Sequence, residues 1–405
     1  MTAQQLRFTF LNVGHFTDHL FMLIFAKAAF SAGLAFGLAE GGAYAEMIPY
    51  GIPSLVLFGA GAPLAAYLAD KWNRTGMLTV FFVGIGLSAI ATGFAQSPLQ
   101  IAFGLAAIGL FASIYHPVGI AMVVQGGGKV GWRVGVNGVW GNMGVAAAPL
   151  ITGFILAGYN WQLAFILPGI IAIAMGIGFL VFVRRGGART PLPAAGEKDI
   201  VGFMPGWRRA LLAIALVTSA GGFVFGTMTF IIPRMFEVSL PDVTIDVATT
   251  GLLAALVYAI AAFAQLIVGR MIDRYRVKPV LFTMALAQPI LIGFMATQSN
   301  YMLFFATLAA MAFVFGQIPI TDTVISRYVP DAWRAKVLSV KLMLNLVIGA
   351  MALMAARYIL EQGGGFSGVI TVVAIVAALI VLAALVLPGR LREPRDAPAV
   401  VSPAE

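Results

Sequence analysis

The chain has 405 residues, 60% hydrophobic and only 10% charged, with 46 glycines, 30 phenylalanines and no cysteine. Soluble domains carry roughly a quarter charged residues and under half apolar ones, so soluble, disulfide-framed and disordered classes are excluded, as is chemistry that needs a thiolate. The net charge of +9 resembles a nucleic-acid signal only until the basic residues are placed.

Apolar stretches long enough to cross a bilayer recur at 8–36, 47–69, 77–95, 99–123, 133–158, 162–183, 209–236, 248–270, 279–297, 301–326, 336–360 and 366–388. They predict an all-α polytopic membrane protein with twelve transmembrane helices, because lipid leaves unpaired backbone groups no partner and a barrel would show short alternating segments. Span one contains His15, Asp18, His19 and Lys27. The triplet Ala43-Tyr44-Ala45 after it resembles a signal-peptidase site, but the span is too long and too polar for a signal core. Asp70, Lys71 and Arg74 follow span two, and Tyr115-His116-Pro117 ends span four. Gly126-Gly127-Gly128-Lys129 lacks the spacing of a nucleotide loop. Span five carries Asn137, Trp140, Asn142 and a run of glycines. The polar stretch Arg184–Arg209, with Pro191, Pro193 and Pro205, separates two sets of six spans. The predicted units are a six-helix bundle at 1–183, a linker at 184–208, a second bundle at 209–388 and a tail at 389–405.

Twenty-one of the 25 basic residues fall in the segments that share a side with both termini, whereas Glu40, Glu46, Glu237, Asp242, Asp246 and Glu361 are placed in loops on the other side. The positive-inside rule puts both termini in the cytoplasm, so the charge reports topology and no nucleic-acid partner is expected. The two bundles also repeat. Ala66-Tyr67-Leu68-Ala69-Asp70-Lys71-Trp72 is answered 203 residues later by Gly269-Arg270-Met271-Ile272-Asp273-Arg274-Tyr275, and Gly131-Trp132-Arg133-Val134 is answered 201 residues later by Ala332-Trp333-Arg334-Ala335. Matching marks at equivalent topological places argue for duplication.

The paired loops resemble the signature loop of the major facilitator superfamily. That resemblance implies a conformational gating motif made of Asp70, Lys71, Arg74, Asp273, Arg274 and Lys278, with Ala66 and Asn73 standing where glycine is usual. In span five, Gly144, Ala148, Pro149 and Gly153 resemble the antiporter motif of the family's exporters, with Ala148 and Thr152 replacing glycines. Tyr115-His116-Pro117 together with Asn137-Gly138 and Gly141-Asn142 is similar, over about forty residues, to the fosmidomycin-resistance branch, although Val118 replaces its acidic residue. The family resemblance also implies that spans one, four, seven and ten line the transport path.

Charges inside a bilayer are costly and are functional candidates by default. His15, Asp18 and His19, at i, i+3 and i+4, share one helical face. A carboxylate flanked by imidazoles can hold and exchange a proton near neutral pH, so Asp18 is the candidate proton site, with His15, His19 and His116 relaying. The same residues can be read as a buried polar network or as a metal site, since His-x-x-x-His gives two ligands on one face and His116 or Asp322 another. Without cysteine or a glutamate-rich cluster, no metal is assigned, and no cofactor is expected. Snorkelling accounts for Arg234, Arg357 and Lys341 but poorly for Lys27. Candidate substrate-binding residues are Lys27, Tyr115, His116, Asn137, Trp140, Asn142, Thr227, Thr229, Gln317, Asp322, Lys341 and Asn345, a set whose cationic balance favours an anionic or amphiphilic solute.

These features predict a proton-coupled secondary transporter that exports a small organic solute by alternating access, monomeric, in a bacterial inner membrane. Import of a carboxylate or sugar by symport or uniport shares every fold argument. A sensor or scaffold would need further soluble domains, and an enzyme would need a nucleophile–base pair or phosphate loop that the chain does not show.

Overall fold

The computed structural model describes residues 1–125, 130–187 and 202–389. Much of the 184–208 linker, the 389–405 tail and the Gly126–Lys129 run lie outside them.

Among the described residues there are helices and no strands, in the order α1 (Ala3–Ala35), α2 (Ala43–Lys71), α3 (Arg74–Gly93), α4 (Pro98–Ala112), α5 (Ile120–Val124), α6 (Val130–Gly158), α7 (Trp161–Arg184), α8 (Trp207–Ser239), α9 (Val247–Arg274), α10 (Val277–Met295), α11 (Asn300–Gly316), α12 (Ile318–Tyr328), α13 (Asp331–Glu361) and α14 (Gly365–Val386). They form twelve spans long and apolar enough to cross a membrane, α4–α5 and α11–α12 each making one interrupted span. Short links are punctuated by side-chain caps. Ser97 accepts from the Gln100 amide with Pro98 in the first turn, and Asn160 accepts from the Leu163 amide. Each cap gives an oxygen to an amide that the helix itself cannot satisfy. Asp246 caps α9 in the same way, and the Thr249 hydroxyl and amide hold its carboxyl below the ordinary carboxylate range.

The two interrupted spans break at repeat-related places. In the first, a five-residue π-helix, Tyr115–Gly119, joins α4 to α5 around Pro117. In the second, α11 ends at Gly316, Gln317 caps it, and α12 restarts with Pro319 in its first turn. Proline has no N–H to give the preceding turn and its ring crowds that turn's carbonyl, so the α register lapses at both points.

Within the first six spans α1 packs on α6, α2 on α4 and α3 on α7; within the last six α8 packs on α13 and α14, α9 on α11 and α10 on α14. The halves meet where α6 lies along α9, α2 along α13 and α1 against α8. Glycine permits the closest approach. A methyl on Gly251 would stand 2.4 Å from the Pro149 carbonyl oxygen, and one on Gly153 would stand 2.9 Å from the Val247 oxygen. Both contacts lie near the face opposite the termini. On that face Tyr44 also donates to the Phe230 carbonyl at 3.0 Å, and Lys27 donates to Glu237 and Thr250. The halves are joined there, while Tyr67 and Leu64 on α2, Trp132 on α6 and Val340 on α13, nearer the terminal face, are exposed.

Candidate functional site

The face of α1 predicted from spacing meets the π-helix and α6 in the middle of the first half. His15 is buried, and its ring stacks on Tyr115 with centroids 4.9 Å apart and planes at 21°. Gly141 of α6 makes the other wall: a methyl there would lie 2.6 Å from His15 Nε2. His15 Nδ1 is 2.8 Å from the Asn137 carbonyl oxygen. A carbonyl only accepts, so Nδ1 carries the hydrogen and the neutral ring turns its Nε2 lone pair outward. That lone pair faces His19 Nε2 at 3.2 Å.

Asp18 is fully buried, with its Oδ2 3.3 Å from His116 Nε2. The pair lies close enough for charge attraction but off hydrogen-bond alignment, so neither carboxylate oxygen has a hydrogen-bond partner. His116 stands edge-on to His15 and His19, with centroids 5.3 and 5.6 Å away, and against Phe58 of α2. The π-helix turns Tyr115 and His116 toward α1 together, which a regular α-helix would swing about 100° apart.

Beneath the histidines runs a neutral network. The Tyr115 hydroxyl donates to the Leu11 carbonyl at 2.6 Å, and Asn137 Nδ2 donates to Asn12 Oδ1 at 3.0 Å and lies 2.9 Å from the Tyr115 hydroxyl. The structure thus brings His15, Asp18, His19, His116, Tyr115 and Asn137 into one centre. Sequence reading missed Asn12 and Gly141 as members. Asn12 lies one turn before His15 on the same face of α1, which spacing alone could have flagged.

The other candidates lie elsewhere. Trp140 packs edge-on against Phe16 and is partly exposed, and Asn142 is half-buried. Gln317 pairs with Gln288, whose amide donates at 2.6 Å, a partner the sequence did not suggest. Thr229 bonds the Phe225 carbonyl of its own helix, and the buried Thr227 hydroxyl has no hydrogen-bond partner. Asn345 of α13 sits against Gly222, where a methyl would be 2.8 Å from both its oxygens. Asp322 and Lys341 pair with each other.

Lys27 is outside the histidine centre. Its Nζ donates to Glu237 Oε1 at 2.5 Å and to the Thr250 hydroxyl at 2.8 Å, across the join between the halves. Glu237 lies in the last turns of α8, where sequence reading placed an outer loop, and its other oxygen takes Arg234 at 2.6 Å. Arg234 in turn covers Phe30 of α1, 3.3 Å from the ring centroid. With Lys27 and Lys341 both paired, the cationic excess expected of the central path reduces to its histidines.

The two span-five motif ends serve different neighbours. A methyl on Gly144 would meet the Phe16 carbonyl oxygen of α1 at 2.2 Å, whereas Pro149 and Gly153 touch α9, and Ala148 is buried. In the signature loops, Asp70 is largely exposed and lies 3.4 Å from Arg74, and Lys71 lies over Tyr67. Asp273 and Arg274 are exposed, while Lys278 donates to the Leu385 carbonyl at the end of α14.

Twelve spans in two sets of six, joined at one face and holding a buried ionisable centre, define a polytopic membrane transporter rather than an enzyme. The chain belongs to the Major Facilitator Superfamily, whose family model matches residues 20–241 and 235–404. Among curated proteins it is similar to the uncharacterized MFS-type transporter YfnC of Bacillus subtilis, 31% identical over 124 residues. That match spans 30% of each chain. Among solved structures, a D-xylose–proton symporter superposes with a TM-score of 0.75 at 14% identity, covering 96% of this chain and 98% of that one. A bacterial homologue of the human lysosomal transporter Spinster, inward-facing and occupied, superposes with a TM-score of 0.72 at 15% identity, covering 96% of each. At these identities the likeness is one of fold.

Proposed function

We propose that this transporter is proton-coupled and exports a small organic solute, with Asp18 as the proton site. The observation that carries the reading is a fully buried carboxyl, without a hydrogen-bond partner, 3.3 Å from a histidine at an interrupted helix. A carboxylate in hydrocarbon is costly unless protonated or paired, so a proton on Asp18 relieves that cost and biases one arrangement of the halves over another. Residues 1–183 and 209–388 are the bodies that rock. With the termini in the cytoplasm of a bacterial inner membrane, the joined face is the outer one, and the described arrangement is inward-facing. Export is favoured by the span-five motif, whose Pro149 and Gly153 lie in the seam between the halves. With the lysines paired, an anionic or amphiphilic solute is favoured by protonated histidines alone. The chain acts as a monomer, since one polypeptide supplies both halves.

The test is flux in proteoliposomes under an imposed pH gradient, screening anionic and amphiphilic solutes. Asp18→Asn is expected to retain exchange but to lose uphill movement by roughly 5- to 150-fold, the size of an ordinary coupling free energy. Undiminished proton-driven transport in that variant would remove Asp18 from the mechanism, and accumulation on the proton-poor side would reverse the direction.

A further inference from the structure

We propose that His15, His19 and His116 bind a divalent first-row transition-metal ion of the zinc or nickel type within the transport path. The chain has only three histidines, and one ring nitrogen from each lies within 4.8 Å of the others. Two come from one turn of α1 and the third from the π-helix, so the cluster is made by tertiary structure. His15 Nε2 and His19 Nε2 are 3.2 Å apart. A tetrahedral ion with bonds of about 2.0–2.1 Å holds its ligand nitrogens about 3.3–3.4 Å apart. The α1 pair is therefore already at ligand spacing, and His116 needs to close by roughly 1 Å to complete three.

The groups behind the rings fit the same role. Imidazoles that ligate a metal ordinarily give their second nitrogen to a carbonyl or carboxylate, which fixes the tautomer and raises ligand basicity. His15 Nδ1 gives its hydrogen to the Asn137 carbonyl at 2.8 Å, leaving Nε2 as the donor to metal. His116 Nε2 faces Asp18 at 3.3 Å, leaving Nδ1. The Asp18 carboxyl is fully buried and no hydrogen bond reaches either oxygen, so a cation on the far side of His116 supplies the compensating charge that this site otherwise lacks. Three neutral imidazoles and no thiolate select zinc, nickel or cobalt over copper(I), magnesium or calcium. Three protein ligands also leave a coordination position open, as in sites that exchange what they hold. A hydrogen bond shared between His15 and His19 is the competing account of their approach, and it predicts no metal affinity.

The proposal stands apart from the coupling role given to Asp18, because the ion binds whatever drives flux. The test uses the purified full chain in detergent, without a polyhistidine tag, stripped of metal and titrated with zinc chloride and nickel chloride by calorimetry, with magnesium chloride as control. One ion per chain is expected, with X-ray absorption at the zinc edge showing three nitrogen ligands with imidazole scattering. His19→Gln is the mildest probe, since the one side-chain hydrogen bond this ring makes is to His15, and His116→Gln is the second. Each is expected to weaken binding by about a hundredfold, and Asp18→Asn by about 10- to 100-fold through His116. No stoichiometric binding, or binding unchanged in both histidine variants that retain helical circular dichroism, would overturn the assignment. Proton-driven flux measured in chelator-treated buffer stays a separate result, so failure of the metal site leaves the coupling reading intact.

Discussion

The two interrupted spans carry the same backbone event and opposite chemistry. In the first half Tyr115–Gly119 presents a tyrosine and a histidine to α1, where His15, Asp18 and His19 wait. In the second half the break at Gln317 meets only Gln288, and the repeat-related stretch of α8 reads Val217-Thr218-Ser219-Ala220-Gly221-Gly222. A methyl on Gly221 would stand 3.0 Å from Gln317 Nε2. Duplication thus kept the interruption, which needs only a proline, while the ionisable centre sits in one copy. The second half instead contributes Glu237, the carboxylate that receives Lys27 across the join. The first half holds what can titrate or ligate, and the second supplies neutral packing and the counter-charge of the closure.

The strongest way to break that division is at the join. Glu237→Gln leaves the fully buried Lys27 ammonium with only Thr250, and stranding a buried charge costs about 3–5 kcal/mol. Lys27→Met leaves Glu237 still paired with Arg234 at 2.6 Å, so its loss is expected to be the smaller. Because the chain has no cysteine, spin labels at Tyr159→Cys and Ile245→Cys, both exposed near the joined face, report the same change as a longer distance. Equal effects of the two substitutions in thermal unfolding and label distance would mean that the pair does not hold the halves together.

The next test compares the two neutral networks. Asn137→Leu leaves Asn12 Oδ1 without its donor and removes one of the Tyr115 partners, at about 1–3 kcal/mol for each group orphaned. Gln288→Leu orphans one group, Gln317 Oε1, so unfolding in detergent should show a smaller shift. Transport should fall with Asn137→Leu, whose backbone carbonyl orients His15, and change little with Gln288→Leu. The reverse ranking would place the working centre in the second half.

Much of this was legible in the sequence because its causes are local. Span positions follow from about twenty apolar residues at a time, links from their caps, and the His15–Asp18–His19 face from i, i+3 and i+4 spacing. Pro117 and Pro319 mark the two breaks at nearly the repeat offset. Lys27 was singled out for its depth, but its partner lies 210 residues away, and nothing local distinguishes an acid in the final turns of α8 from one in the next loop. Gln288 escaped for the same reason, as an unremarked amide in an apolar helix. Pairing between helices depends on which faces meet, and twelve apolar faces of similar composition do not declare their neighbours.

A smaller effect separates glycines that face α1 from those that do not. Gly144→Ala drives a methyl against the Phe16 carbonyl oxygen, 2.2 Å away if nothing moves. Backbone cannot rotate aside as a side chain would, so overpacking of about 1–3 kcal/mol is expected. Gly138→Ala on the same helix meets nothing within 4 Å, and relief of glycine's conformational entropy should stabilise it by about 0.5–1 kcal/mol. Opposite signs in thermal unfolding would locate the close α1–α6 contact on the Gly144 side.

The smallest stability effect is expected at the prolines, and it bears most directly on why the two breaks differ. Pro319 sits in the first turn of α12, where a missing N–H costs no helical bond. Pro319→Ala should therefore shift stability by less than about 1 kcal/mol and leave transport near its starting rate. Pro117 lies inside the π-helix, and Pro117→Ala restores an N–H that can draw the chain back into α register. Little stability need change, since a helical bond is gained as the π turn is lost. The register change would nonetheless swing His116 by about 100° relative to Tyr115, away from Asp18, so proton-driven flux and zinc affinity should both fall. If Pro117→Ala keeps both activities, the interruption is incidental to the centre and the two breaks are equivalent after all. If it loses both while Pro319→Ala loses neither, one backbone irregularity has been put to chemical use in only one of its two copies.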